Sequence, residues 1–284
     1  MGTYAIIVSI GEKQCTFNVT VEEVKSLKIL MIGNSYSDDT AEYLPEIAKD
    51  FDFDEVEFGV LYIGGCNIQK HYENSQTGYK GYEFRYYKNG AWTKKYGNEL
   101  KSLEYGVTFK DWDYITLQQS SVQSGVVSSY GESLDKLITY VKQTATNVNM
   151  QLIWNMTWAY ANDYSSMQKN GYSNQISMYN LIANAVETKI ATNMNFVAIS
   201  PAGTAVQNAR TSILGDTLNR DGTHLTYDVG RYIAAMSMFC SLTGYTVDDI
   251  TYVPDGLDEA RISIAKDSVR NALANKYEVT PFKN

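Results

Sequence analysis

Few residues in this chain can do acid–base or nucleophilic chemistry. Only two histidines are present, His71 and His224. A mechanism needing an imidazole base has two candidates, and a site needing three histidines is excluded. His224 closes the run Asp221-Gly222-Thr223-His224. An Asp and a His three apart in a turn can point into one site, where the carboxylate would hold the imidazole tautomer for a serine nucleophile. Each piece also has a plainer reading. Asp-Gly is an ordinary turn dipeptide, and a lone His is usually a satisfied structural residue. His71 lies shortly after Gly65-Cys66-Asn67 and has no acid three residues away, so a structural or pocket-wall role suits it better.

A serine candidate sits in Gly33-Asn34-Ser35-Tyr36-Ser37-Asp38-Asp39, just after the apolar run Leu27 to Ile32. In an open α/β sheet, ligands bind at the carboxyl ends of the strands. A serine in that turn has an exposed hydroxyl among backbone N–H groups, which suits a nucleophile. Ser35 or Ser37 could equally cap the following helix. Asp38 and Asp39 favour that helix's N-terminus by charge.

Other chemistries fall away. Cys15, Cys66 and Cys240 are odd in number and far apart, giving neither a disulfide framework nor a zinc spacing. No Walker, Gly-x-Gly-x-x-Gly, His-Glu-x-x-His, Cys-x-x-Cys or Gly-x-Ser-x-Gly motif occurs. Ser-x-x-Lys occurs at Ser133, Ser166 and Ser263, and three hits show how unspecific it is. With 24 Lys and Arg against 32 Asp and Glu, the net charge is −8. Without a basic stripe, nucleic acid is not an expected partner. No apolar run approaches the ~18 residues of a membrane span, so no membrane insertion is expected. The 44% hydrophobic content indicates a folded chain, and at this size roughly 75% of the unfolded surface can be buried without disulfide staples.

The elements that must position these residues read as follows. Tyr4 to Ile10 and Cys15 to Val21 alternate in period 2 around a Gly-containing turn, predicting a β-hairpin over residues 1–23. Strands follow at Leu27–Ile32, Val56–Ile63, Asp113–Leu117, Met150–Met156 and Asn195–Ile199. Helices are expected at about 41–51, 130–146, 174–192, 201–214, 226–243 and 257–276. Residues 67–110 read as an irregular, Tyr-rich insertion with a hairpin signal at Asn89-Gly90. Apolar strands alternating with helices predict one α/β domain over residues 24–284, with a parallel sheet covered on both faces.

The Ser35 turn and the Asp221-x-x-His224 turn before the last helices together resemble the first and last blocks of the SGNH (GDSL-like) hydrolase superfamily, over residues 27–243. That resemblance implies a flavodoxin-like three-layer α/β/α sandwich with a parallel five-stranded sheet, to which the N-terminal hairpin is added. It implies a serine esterase of the carbohydrate-esterase type. Ser35 would be the nucleophile, forming an acyl-enzyme, with His224 the general base and Asp221 its orienting acid. No metal or cofactor is implied. The second block points to Gly65 N–H as an oxyanion donor beside Ser35 N–H. The third block normally supplies an Asn after the third strand. Here that strand ends Leu117-Gln118-Gln119-Ser120, so Gln119 or Gln118 is the expected substitute donor.

His71, Trp158 and Tyr160 are expected to touch substrate, and the Tyr-rich insertion to wall the cleft. The expected partner is an acylated, chiefly acetylated, polysaccharide or oligosaccharide. The hairpin resembles the last two strands of a bacterial immunoglobulin-like domain, a spacer in secreted multi-domain surface proteins; a hairpin native to the main domain is the other reading. A secreted or cell-surface location is therefore expected, although no signal peptide is visible after Met1. A glycan-binding protein on the same scaffold without activity, or a lipid or thioester hydrolase, are the alternatives.

Overall fold

The computed structural model describes residues 2–11, 13–21, 25–88, 90–93 and 99–283. The alternating N-terminal runs form β1 (Gly2–Ile10) and β2 (Lys13–Val21), paired antiparallel from Gly2 opposite Val21 to Ile10 opposite Lys13. They make a separate two-stranded sheet, with Ile7, Val8 and Phe17 exposed.

The main body then runs β3 (Ser26–Gly33), α1 (Ser35–Ala41), α2 (Leu44–Ala48), β4 (Glu55–Tyr62), α3 (Ile68–Thr77), β5 (Glu83–Lys88) and β6 (Ala91–Trp92). It continues α4 (Leu103–Thr108), β7 (Tyr114–Leu117), α5 (Glu132–Thr144), β8 (Gln151–Asn155), α6 (Gln175–Lys189) and β9 (Phe196–Ser200). The helices α7 (Ala202–Arg210), α8 (Val229–Thr243) and α9 (Glu259–Ala274) close it.

The sheet order is β6-β5-β4-β3-β7-β8-β9, and the five strands from β4 to β9 are parallel. This is the flavodoxin-like order, in which the chain leaves the first parallel strand to one side and returns on the other. The switch point therefore lies between β3 and β7, at the end of β3 where Ser35 follows. Period-2 alternation assigns the faces. Leu27, Ile29 and Met31 pack into the layer of α1, α2, α7, α8 and α9, while Leu30 and Ile32 pack into that of α3 to α6. Each fully buried Leu or Ile stabilises by about 1.5–3 kcal/mol.

Two segments differ from the sequence reading. The first helix begins at Ser35 and not near Ala41, because Asn34 caps it; the chain then breaks, and Pro45 sits in the first turn of α2. The insertion is not irregular. It folds as α3, β5, β6 and α4, and β5 pairs antiparallel with β4, so the sheet has seven strands among the described residues. The Asn-Gly hairpin forms, with Tyr87 opposite Trp92 and Lys88 opposite Ala91; Asn89 itself lies outside the described residues.

Gly203 fixes how closely α7 approaches the end of β8. Its N–H donates to Met156 O at 2.9 Å, and a Cβ there would stand 2.1 Å from the Thr157 carbonyl oxygen. Backbone cannot swing aside as a flexible side chain can. Gly203→Ala is expected to destabilise by about 2 kcal/mol, within the range for overpacking, read as a lower urea midpoint.

Candidate active site

The site grows from the end of β3. Asn34 Oδ1 accepts the Tyr36 N–H at 3.1 Å and the Gln118 amide at 2.9 Å, while its Nδ2 donates to Cys66 O at 3.1 Å. One buried side chain thus ties together the ends of β3, β4 and β7. Ser35 is the first residue of α1 and is half-buried. Among the described residues its Oγ makes no hydrogen bond. Its N–H is one of the helix-start donors that lack an intrahelical acceptor.

Asp221 and His224 meet as their spacing predicts. His224 Nδ1 lies 2.6 Å from Asp221 Oδ2, and Asp221 Oδ1 accepts the backbone N–H groups of Thr223 at 3.0 Å and His224 at 2.8 Å. A proton on Nδ1, shared with the carboxylate, leaves Nε2 as the basic nitrogen. Gly222 makes the turn possible with φ +84°, under the ring of Tyr164. Partial burial pushes the Asp221 carboxyl up, but the hydrogen bonds from His224 and Thr223 outweigh it and hold the group well below the usual carboxylate range. Its stabilising share is full above about pH 4, the unfolded value, and is lost as pH falls below that. Asp221→Asn should therefore flatten the fall in Tm between about pH 4 and pH 2 relative to wild type.

The loop that carries this pair is held from several sides. Asn219 and Leu225 form an antiparallel bridge across it, and Trp158 Nε1 donates to Thr223 O at 2.9 Å. Trp158 also stacks on Tyr36, with centroids 4.2 Å apart and 9° between planes. Tyr36 in turn meets the His224 ring edge-on at 6.1 Å. The residue after Ser35 and the imidazole are thus neighbours, so the Asp221–His224 loop packs against the first turns of α1.

Gly65 lies in the turn after β4, with φ +62°. Cys66 N–H closes that turn onto Ile63 O at 3.1 Å, and Ile63 N–H bonds Gly33 O at 3.2 Å. The turn therefore sits beside Ser35, and Gly65 N–H donates to no described backbone group.

The glutamines do something other than expected. Gln118 Oε1 accepts from Ser37 Oγ and Asn155 Nδ2, both at 2.9 Å, while its amide nitrogen serves Asn34. Gln119 Oε1 accepts the N–H groups of Ile68 at 3.2 Å and Ser120 at 2.8 Å, and its amide donates to Ser129 O and Oγ. Both are buried. They pin the β7 exit loop and α3; the Gln119 amide spends both its hydrogens on Ser129, and the Gln118 amide holds Asn34 with one of its two.

The three residues expected to touch substrate are buried. His71 is 1% exposed, bonds Tyr82 OH through Nδ1 at 2.9 Å, and is pushed down to about 3 by burial. Tyr160 donates to Ser121 Oγ at 2.9 Å. Trp158 buttresses the Asp221–His224 loop as described. The insertion's aromatics likewise pack on one another, with Phe84 and Tyr86 each about 5 Å from Phe109 by centroids of 4.9 and 5.0 Å. They form a small cluster at the sheet edge that lines a shallow surface cavity, with Tyr79 and Tyr105 exposed. Asp38 and Asp39 are more than helix-end charges: Asp38 pairs with Arg85 at 3.1 Å, and Asp39 with Arg220 and Arg231 at 3.0 and 2.8 Å. The roles of Asn34, Asp39 and Arg220 were missed. The signal available was that Asp39 lies four residues after Ser35, one helical turn on the same face.

Sheet order, switch point and the arrangement around Ser35 define an SGNH-hydrolase-like fold. A structure of a "putative SGNH hydrolase" from Slackia heliotrinireducens superposes with TM-score 0.52 at 19% identity, covering 77% of this chain and 100% of that one. Within that class the chain belongs to the family described as a domain of unknown function (DUF4886), which it matches over residues 28–272. A crystal structure of a DUF4886 family protein from Bacteroides uniformis ATCC 8492 is similar at 35% identity and TM-score 0.84, covering 91% of this chain and 98% of that one. No match was found among curated proteins. Among the described residues, no helix is long and apolar enough to cross a membrane.

Proposed function

We propose that the protein is a serine esterase that removes O-acyl groups, chiefly acetyl, from a carbohydrate. The observation that carries this reading is the 2.6 Å Asp221–His224 contact on a loop packed against the helix that begins with Ser35. Ser35 Oγ attacks the ester carbonyl as His224 Nε2 takes its proton. The tetrahedral oxyanion faces the N–H groups of Ser35 and Gly65. Its collapse expels the sugar alcohol, which receives the proton from His224. Water, deprotonated by His224, then cleaves the acyl-enzyme and frees Ser35 and the acid. The polar loops around the site and the exposed ring of Tyr227 beside them support a glycan over a lipid. The β1–β2 hairpin, similar in pattern to the closing strands of a bacterial immunoglobulin-like domain, supports a secreted or surface-attached setting.

The test is acetate release from acetylated xylan, mannan, pectin and sialic acid, with p-nitrophenyl acetate as the generic substrate. Turnover that depends on the Ser35 hydroxyl is expected; equal rates with and without it would sink the proposal. A second reading, glycan binding without turnover, is favoured by one observation: the Gln119 amide is spent on Ser129 and the buried Gln118 amide is drawn to Asn34, so the third donor is not in place beside Ser35 as a strand-end Asn would be. Losing one such donor costs on the order of 10²–10³ in rate. Binding of acetylated glycans with no acetate release would support that reading.

A further inference from the structure

We propose that Asp39 is a positioning residue that staples the helix carrying Ser35 to the loop carrying Asp221 and His224. The staple is visible in the structure; its catalytic meaning rests on the esterase reading above. Asp39 is fully buried. Its Oδ2 accepts the Leu225 N–H at 2.9 Å, and its Oδ1 accepts Arg220 Nη1 at 3.0 Å and Arg231 Nε at 2.8 Å. Leu225 directly follows His224, and Arg220 directly precedes Asp221. One carboxylate therefore grips both ends of the loop.

Arg220 closes the clasp, since its guanidinium bonds Leu225 O and its own N–H bonds His224 O at 2.9 Å. The guanidinium groups of Arg220 and Arg231 lie over the Tyr227 ring at 4.6 and 4.7 Å from its centroid. Leu225, Arg220 and Arg231 all come from this loop and the helix after it. A merely structural buried carboxylate has no need of that restriction; it needs only enough donors to offset desolvation. Restricting them to the histidine loop couples the two halves of the site. Reacting atoms must lie about 3–3.5 Å apart, and a misplacement near 1 Å can cost about 10²-fold in rate.

Asp39→Asn keeps the shape and the Leu225 acceptor but removes the charge that holds two guanidinium groups. It is expected to lower kcat for p-nitrophenyl acetate by about 10- to 100-fold, with KM within about twofold. Amide exchange in the segment 219–227 should accelerate by about tenfold under conditions where the variant is folded. Arg231→Gln is the milder variant, expected to lose about 3- to 10-fold in kcat with the same KM, and it serves if Asp39→Asn fails to fold. Leu137→Ala, on the buried face of α5, should lower Tm and leave kcat at its wild-type value, separating lost stability from lost positioning.

Wild-type kcat in the staple variants would overturn the proposal, as would a fall in kcat without faster exchange at 219–227. If neither wild type nor Ser35→Ala turns over any ester, the esterase reading fails on its own. Exchange then judges the staple alone: protection unchanged in Asp39→Asn and Arg231→Gln would overturn it, and protection lost would sustain it.

Discussion

Ser35→Ala and His224→Ala should each lower kcat for p-nitrophenyl acetate by about 10⁶, and the double variant should be no worse. The reason is that the two groups perform one act. The serine hydroxyl is a poor nucleophile until its proton has somewhere to go, and His224 Nε2 is a base without work once the hydroxyl is gone. The geometry makes the pairing specific to His224. The alternative imidazole, His71, is shut inside the layer of α3 and α4 against Tyr82. Steady-state rates of the two single variants and the double variant check this. Losses that multiply in the double variant would mean that the two residues act on separate steps, and the mechanism above would fall.

Asp221→Asn should lower kcat by about 10⁴ with little change in KM. The carboxylate accepts from His224 Nδ1, which keeps Nε2 free to take a proton. An Asn placed with its NH2 toward the ring donates to Nδ1 instead, and the ring proton moves to Nε2, where it blocks the base. The loop itself should survive, because the Asn oxygen can still accept the N–H groups of Thr223 and His224, as Asp221 Oδ1 does. The expected signature is therefore a kinetic loss far larger than the fall in Tm at neutral pH, where the variant loses only the solvent-screened share of the ionised carboxylate. A comparable loss of Tm would show that the carboxylate serves the fold first.

What could be read in the sequence was what lies close along the chain. Asp221 and His224 are three residues apart, and the turn between them is built by Gly222, so their meeting is a local event. The Leu27–Ile32 strand was legible because it is apolar on both faces, as a strand between two helical layers must be. The contacts of Asp39 were not legible, since its partners Arg220, Leu225 and Arg231 lie 181, 186 and 192 positions away. The glutamines show the same limit. Gln119 was assigned by its place at the strand end, but its amide is claimed by Ser129, whose position depends on how the loop after β7 folds back. The aromatic insertion misled for a related reason: composition shows rings, and only packing shows whether they face solvent or each other.

The burial of His71 has a practical corollary. An imidazole held neutral down to about pH 3 keeps its ring C–H resonances in place over the whole range in which the protein would be studied. With two histidines in the chain, those of His71 serve as a fixed reference and those of His224 report on the site. Ligands, acyl groups on Ser35 and changes at Asp221 can each be followed on the His224 resonances, without an introduced label.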